Sequence, residues 1–245
     1  MTAQRSDRVK KRPRALVTGG AVRVGRAIAL ALAHAGMDVV IGYHRSAPDA
    51  RRTVRALEAA GARSAAVRAD LADPAAARRL VAGAARALGG LDVLVNNAAV
   101  FFRTPFASTT RAQYDRLLDV NLRGAFFCAQ AAARLMAGGG HIVNIADVGA
   151  VKRWPGYIPY TVSKAGLVAL TSSLATTLRR RGVAVNCVAP GAVLRPVGMS
   201  PARWLKVTRG RVPTLEDVTA AVVFFATCAS HITGQVLYVD GGETG

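Results

Sequence analysis

The alternation of short apolar runs with long helix-forming stretches constrains this chain more than any other feature. Runs at 14–18, 38–43, 64–70, 91–95, 141–145, 183–188 and 235–239 are rich in Val, Leu, Ile and Ala and have strand length. Between them, stretches at 24–35, 48–60, 74–88, 109–136, 160–181 and 214–228 read as helices. Gly36 and Gly61 close the first two, and Pro74 opens the third. Such alternation yields βαβ units and a parallel sheet covered on both faces. The expected fold is therefore α/β, a Rossmann-like, doubly wound parallel sheet. At 245 residues it fits a single domain. Ligands of such sheets sit at the carboxyl ends of the strands, so the residues just after each apolar run are the candidates for chemistry.

Composition narrows the class further. A hydrophobic content of 51% argues against wholesale disorder. The net charge of +19 raises the question of a polyanionic partner. However, the arginines are spread over nearly every expected helix, and no nucleic-acid motif is present. Only residues 1–13 concentrate the charge, with Arg5, Arg8, Lys10, Lys11 and Arg12 against Asp7. They read as a flexible basic arm ahead of a domain spanning 14–245. No specific nucleic acid is expected, only nonspecific attraction at low salt. Cys128, Cys187 and Cys228 are scattered, which suggests reduced thiols and neither a disulfide framework nor a metal site. The basic start is followed by no apolar signal region, so a cytoplasmic location is expected. Residues 218–239 carry no charge, but Ser230-His231 and Thr233-Gly234-Gln235 break them into a buried helix, a turn and a strand, and no membrane span is expected.

Three clusters carry chemistry. Thr18-Gly19-Gly20-Ala21-Val22-Arg23-Val24-Gly25 follows the first run and opens the first helix. Glycines there permit a tight turn and bring backbone N–H groups to a pyrophosphate at the helix N-terminus. Arg23 stands where another glycine is common, and its guanidinium suits a cofactor phosphate or an acceptor-rich substrate. His44-Arg45-Ser46 after the second run suits a 2′-phosphate better than a bare ribose hydroxyl, so NADPH is expected over NADH. Tyr160 and Lys164 are four residues apart and share a helix face. A cation beside a phenol favours the phenolate, so Lys164 is expected to lower the pKa of Tyr160 and make it a proton relay near neutrality.

Thr18-Gly19…Gly25, Asn96-Asn97-Ala98, Asn121, Tyr160…Lys164, Pro190-Gly191 and Val239-Asp240-Gly241-Gly242 together resemble the short-chain dehydrogenase/reductases. The resemblance covers nearly all of the chain after the arm. It implies a seven-stranded sheet, a homotetramer and a catalytic group of Tyr160, Lys164 and Asn121. Lys164 would also hold the nicotinamide ribose, and Asn121 would connect it to a water chain. It further implies adenine contacts from Asp70 and Leu71, cofactor lining by Gly19, Val24, Gly25, Asn97 and Ala98, and Pro190 and Gly191 beside the nicotinamide.

Within that family, Arg23, Tyr43-His44-Arg45-Ser46, Phe101 and Asp147 resemble the pteridine reductase branch, although Ala99 and Val193 stand where that branch often has serines. Most of the wider family has serine at the position of Asp147. A serine donates to a carbonyl, whereas a carboxylate accepts and can shuttle protons. Arg23, Phe101, Asp147 and Tyr160 are accordingly the expected substrate contacts, with Phe101 stacked on a flat pterin. Asp147 is also an expected catalytic residue: either Tyr160, assisted by Lys164, or Asp147, linked to water, supplies the proton. The leading expectation is an NADPH-dependent reductase of pterins or folates. The alternative is a reductase of β-ketoacyl thioesters or other small carbonyl compounds on the same scaffold. A third reading, an anion-binding protein with a vestigial fold, rests on charge alone. The short basic segment at 193–212, with Trp204, is expected to be a mobile substrate lid.

Overall fold

The computed structural model describes residues 12–195, 198–208 and 212–244. Seven parallel strands form one sheet in the order β3-β2-β1-β4-β5-β6-β7. The strands are β1 Arg14–Val17, β2 Asp38–Tyr43, β3 Ser64–Arg68, β4 Val93–Asn96, β5 Gly140–Ile145, β6 Val183–Pro190 and β7 Val236–Val239. Their connections carry α1 Arg23–His34, α2 Ala47–Ala59, α3 Pro74–Leu88, α4 Arg111–Leu118, α5 Gly124–Leu135, α6 Ile158–Leu178, α7 Pro201–Thr208 and α8 Leu215–Thr227. The winding reverses between β1 and β4, which places a crevice at their carboxyl ends.

Side chains alternate along each strand and so feed two cores. Ala15 and Val17 of β1 pack with Ile28 and Leu32 of α1, Leu57 of α2 and Val222 and Phe225 of α8. Leu16, between them, faces Leu80 of α3, Ala129 of α5 and Leu178 of α6. Both faces are thus covered, as the unbroken apolar runs require. Cys128 in the second of these cores, and Cys187 in a smaller cluster with Ala146, Leu167 and Ala189, are free thiols, and burial pushes Cys128 up to about 12 and Cys187 up to about 11.

Three departures from the sequence expectation have local causes. The stretch at 109–136 is not one regular helix: a five-residue π turn, Asp119–Arg123, joins α4 to α5. The segment expected to be a mobile lid contains α7, started by Ser200, whose hydroxyl accepts from the Arg203 N–H (3.2 Å). Arg12 and Pro13, expected in the arm, are fastened instead. Arg12 pairs with Asp38 (3.3 Å), and the Asp38 N–H donates to the Pro13 carbonyl (2.8 Å). The rest of the arm lies outside the described residues. Among the described residues no helix is long and apolar enough to cross a membrane.

Candidate active site

The crevice begins with a clasp between β1 and β4. The Thr18 hydroxyl accepts from the N–H groups of Asn97 and Ala98 (3.0 Å each). In return, the Asn97 amide donates to the carbonyls of Thr18 (2.9 Å) and Gly19 (3.3 Å). Gly19 has φ +65°, and a Cβ on Gly25 would stand 2.2 Å from the Gly19 carbonyl oxygen, so no other residue fits at 25. Arg23 has φ 52°, the one positive value outside glycine among the described residues. The left-handed region costs a side chain about 1–2 kcal/mol, which explains why glycine is common there. The surrounding loop holds Arg23 in it.

The loop borders a cavity of about 420 Å³ lined by Gly19, Arg23, Val24, Gly25, His44, Asp70, Leu71, Asn97, Ala98 and Tyr160, among others. Nine of the expected cofactor residues therefore share one cleft with the phenol. A dinucleotide fits this donor set: a glycine loop at the N-terminus of α1, a cation at its rim and small residues on the opposite wall. Arg45 and Ser46 follow directly on His44 but do not line this cavity. Arg116, which the sequence gave no reason to select, does line it. Its guanidinium donates to both carboxylate oxygens of Asp70 (2.9 and 3.0 Å), and His44 lies 3.6 Å from the same group. Burial pushes Asp70 up, but the Ala72 N–H, Arg116 and His44 outweigh it and hold the carboxyl below its ordinary range.

Tyr160, Lys164, Asn121 and Asp147 converge at the inner end. The Tyr160 hydroxyl donates to Asp147 Oδ2 (2.9 Å), while Asp147 Oδ1 caps the next turn by accepting from the Gly149 N–H (2.7 Å). Lys164 is buried, and its Nζ donates to the Ile145 carbonyl (2.8 Å). Asn121 sits in the π turn. Its amide donates to the Val100 carbonyl (3.0 Å) and to Ser163 Oγ (3.1 Å), and its oxygen accepts from the Val100 N–H (2.8 Å). Ser163 donates in turn to the Tyr160 carbonyl (2.6 Å). Ser163 is a link missed from the sequence, although it lies inside the Tyr160–Lys164 segment. Pro190 ends β6, and the Gly191 N–H donates to Val239 (2.9 Å), which places both at the strand ends outside the cavity lining.

The electrostatics correct one expectation. Lys164 does not acidify Tyr160 here. Burial, followed by the Asp147 carboxylate, raises the phenol well above its ordinary value. Burial also raises Asp147, against the Gly149 N–H and Lys164, and the same burial lowers Lys164. The lysine ammonium lies 5.8 Å from the centre of the tyrosine ring, and its nearest partner is a carbonyl. Tyr160 is therefore a protonated acid at neutral pH, not a poised phenolate. Two further groups reach the site unannounced by the sequence. Lys152 pairs with Glu243, whose negative charge adds to the upward push on Asp147. Trp154 and Tyr157, on the loop before α6, stand in ring contact with Phe101 and Tyr160.

A family model described as enoyl-(acyl carrier protein) reductase matches residues 20–244. The protein belongs to the short-chain dehydrogenase/reductase family. It is 36% identical to 3beta-hydroxysteroid dehydrogenase 1 of Eggerthella lenta, across 94% of this chain and 92% of that one. It is 35% identical to the 3-oxoacyl-[acyl-carrier-protein] reductase FabG of Staphylococcus aureus, across 93% and 96%. A short-chain dehydrogenase from Burkholderia cenocepacia, solved in complex with NADP, superposes with a TM-score of 0.87 at 38% identity, covering 94% of this chain and 96% of that one. This short-chain dehydrogenase/reductase is thus an oxidoreductase. Among its described residues no His, Cys, Asp and Glu cluster could hold a metal ion.

Proposed function

We propose that the protein is an NADPH-dependent reductase of small carbonyl compounds, β-ketoacyl thioesters among them. One observation carries this reading: the buried Tyr160, its hydroxyl bonded to Asp147, lines the glycine-loop cleft. Its neighbours there are a buried lysine and an asparagine-braced helix. A carbonyl that accepts a hydride develops negative charge on oxygen, and a phenol that stays protonated at neutral pH is the acid that situation needs. Bound NADPH supplies the hydride. Gly19, Val24, Gly25, Asn97, Ala98, Asp70 and Leu71 would hold it, with Arg23, His44, Arg45 and Ser46 at its phosphates. Pro190, Gly191 and Lys164 would lie toward the nicotinamide end. The relatives named above support the carbonyl reading, since one is a ketoacyl reductase and another a hydroxysteroid dehydrogenase by name.

Asp147 decides how the acid works. As an anion it accepts the Tyr160 proton and competes with a substrate oxygen. As a neutral acid it donates, as the family's usual serine does. Burial raises the Asp147 carboxyl, so its neutral, donating form persists to higher pH than that of a free carboxyl. The pterin expectation rests on Asp147, Phe101 and Arg23, and none of the three proteins compared above is a pteridine reductase. We also propose a homotetramer. Leu122, Phe126, Gly166, Ala169 and Leu170 line an apolar groove of about 490 Å³ between α5 and α6, on a face with no cover in a single chain.

The test is a screen of NADPH oxidation with diacetyl, acetoacetyl thioesters and ketosteroids against dihydrobiopterin and dihydrofolate, with Asp147→Ser as partner. The carbonyl reading expects turnover of a carbonyl substrate that Asp147→Ser preserves or improves. Turnover of pterins alone, abolished by Asp147→Ser, would restore the pterin reading.

A further inference from the structure

Four aromatic rings from three segments, the catalytic tyrosine's among them, pack together. Phe101 lies on the loop after β4, Trp154 and Tyr157 on the loop before α6, and Tyr160 in the first turn of α6. Phe101 stacks on Tyr157 at 4.7 Å with an interplanar angle of 4°, and meets Tyr160 edge-on at 4.7 Å and 74°. Trp154 is parallel to Tyr160, at 6.2 Å and 2°, and stands at 73° to Phe101. The rings therefore form two perpendicular sets, a corner with Tyr160 on one side. The corner is fixed in place. The Thr104 N–H donates to the Gly156 carbonyl (2.8 Å), and Thr104 forms a parallel bridge with Tyr157, so the two loops are tied by backbone. Even so, Phe101 keeps 53% of its surface exposed.

We propose that Phe101, Trp154 and Tyr157 are specificity-determining residues, and that the enzyme selects carbonyl compounds whose carbonyl carbon carries a flat aromatic or conjugated ring. The inference rests on the carbonyl-reductase reading and deepens it. A carbonyl oxygen held at the Tyr160 hydroxyl places its substituents within reach of this corner. A flat ring there gains face contact with one ring set and edge contact with the perpendicular one, which fixes its plane as well as its position. A short alkyl substituent gains neither. Because the backbone tie holds the walls before substrate arrives, little ordering is needed on binding.

The experiment compares phenylpropanedione with diacetyl, vicinal diketones that differ by a phenyl in place of a methyl, in the wild-type enzyme and in Phe101→Leu and Trp154→Leu. Leucine keeps apolar bulk and removes the ring. The wild type is expected to favour phenylpropanedione in kcat/KM. Each variant should lower that value roughly threefold to tenfold, chiefly through KM, the loss one aromatic pair accounts for. Diacetyl should lose less than phenylpropanedione in each variant, since it makes no such pair. Equal wild-type efficiency on the two diketones would overturn the inference and leave the carbonyl reading intact. So would variants that weaken both substrates alike, the signature of rings that merely brace the loops. Reduction of neither diketone by protein that binds NADPH would contradict the carbonyl reading itself, and the inference would fall with it.

Discussion

Tyr160 holds its proton because burial and a carboxylate oppose the phenolate, and both effects can be removed one residue at a time. Replacing Tyr160 with Phe should cut kcat by about a hundredfold or more, the scale of a lost general acid, with NADPH affinity by fluorescence titration unchanged. The sign of the pH dependence follows from Asp147. Its folded value lies above the ordinary carboxyl value, so the neutral form predominates at low pH and is lost as pH rises through that raised value. Carbonyl reduction should therefore fall over that rise, and the limb should vanish in Asp147→Ser. A limb unchanged in the serine variant would assign it to another group. Arg23 poses a different trade. In Arg23→Gly the left-handed position is no longer strained, which should stabilise the fold by about 1 kcal/mol. NADPH should at the same time bind more weakly. A thermal melt paired with a binding titration reads both, and a variant less stable than wild type would contradict the strain assignment.

The glycine loop and the π turn act as elements. The loop works only with Gly25, whose missing Cβ lets the Gly19 carbonyl approach. Asn121 works through the π turn, which aims its amide at Val100 on the β4 loop and at Ser163 on α6. Asn121→Ala leaves the Val100 N–H and carbonyl without their side-chain partner, which should cost about 1–3 kcal/mol in denaturant unfolding and lower kcat. Unchanged stability would show that water takes over the pairing. These elements also show what the sequence could and could not reveal. All seven strands and the helices α1, α2, α3, α6 and α8 were legible because apolar runs and glycine or proline punctuation mark them locally, while α4 and α5 were read as one helix. The glycine loop, Tyr160, Lys164 and Asn97 were legible because their spacing is fixed by one strand-to-helix turn or one helix face. The π turn was not, because an extra residue in a helix leaves no compositional trace. Arg116 and Glu243 reach the site from distant segments, and the ring contacts of Trp154 and Tyr157, although both lie just ahead of Tyr160, depend on Phe101 from the loop after β4. Only the folded chain sets the balance of burial against charge at Tyr160, and it reverses the sign that Lys164 alone suggests.

At the scale of the whole molecule, the sheet's switch between β1 and β4 puts the cofactor loop and Tyr160 of α6 around one crevice, and the aromatic corner joins it through its ring contacts with Tyr160. The apolar groove between α5 and α6 shares no lining residue with that crevice. Phe126→Glu should yield a species smaller than the wild-type tetramer in size exclusion with light scattering, and a monomeric wild type would contradict the proposed assembly. The central claim is that this crevice delivers a hydride from NADPH to a carbonyl carbon with Tyr160 as the acid. The most direct measurement uses NADPH deuterated at nicotinamide C4 with a ketone substrate and reads the product by mass spectrometry. The account predicts an alcohol that carries deuterium at the former carbonyl carbon, and almost none from Tyr160→Phe. Alcohol without deuterium, or equal labelling by the phenylalanine variant, would contradict it.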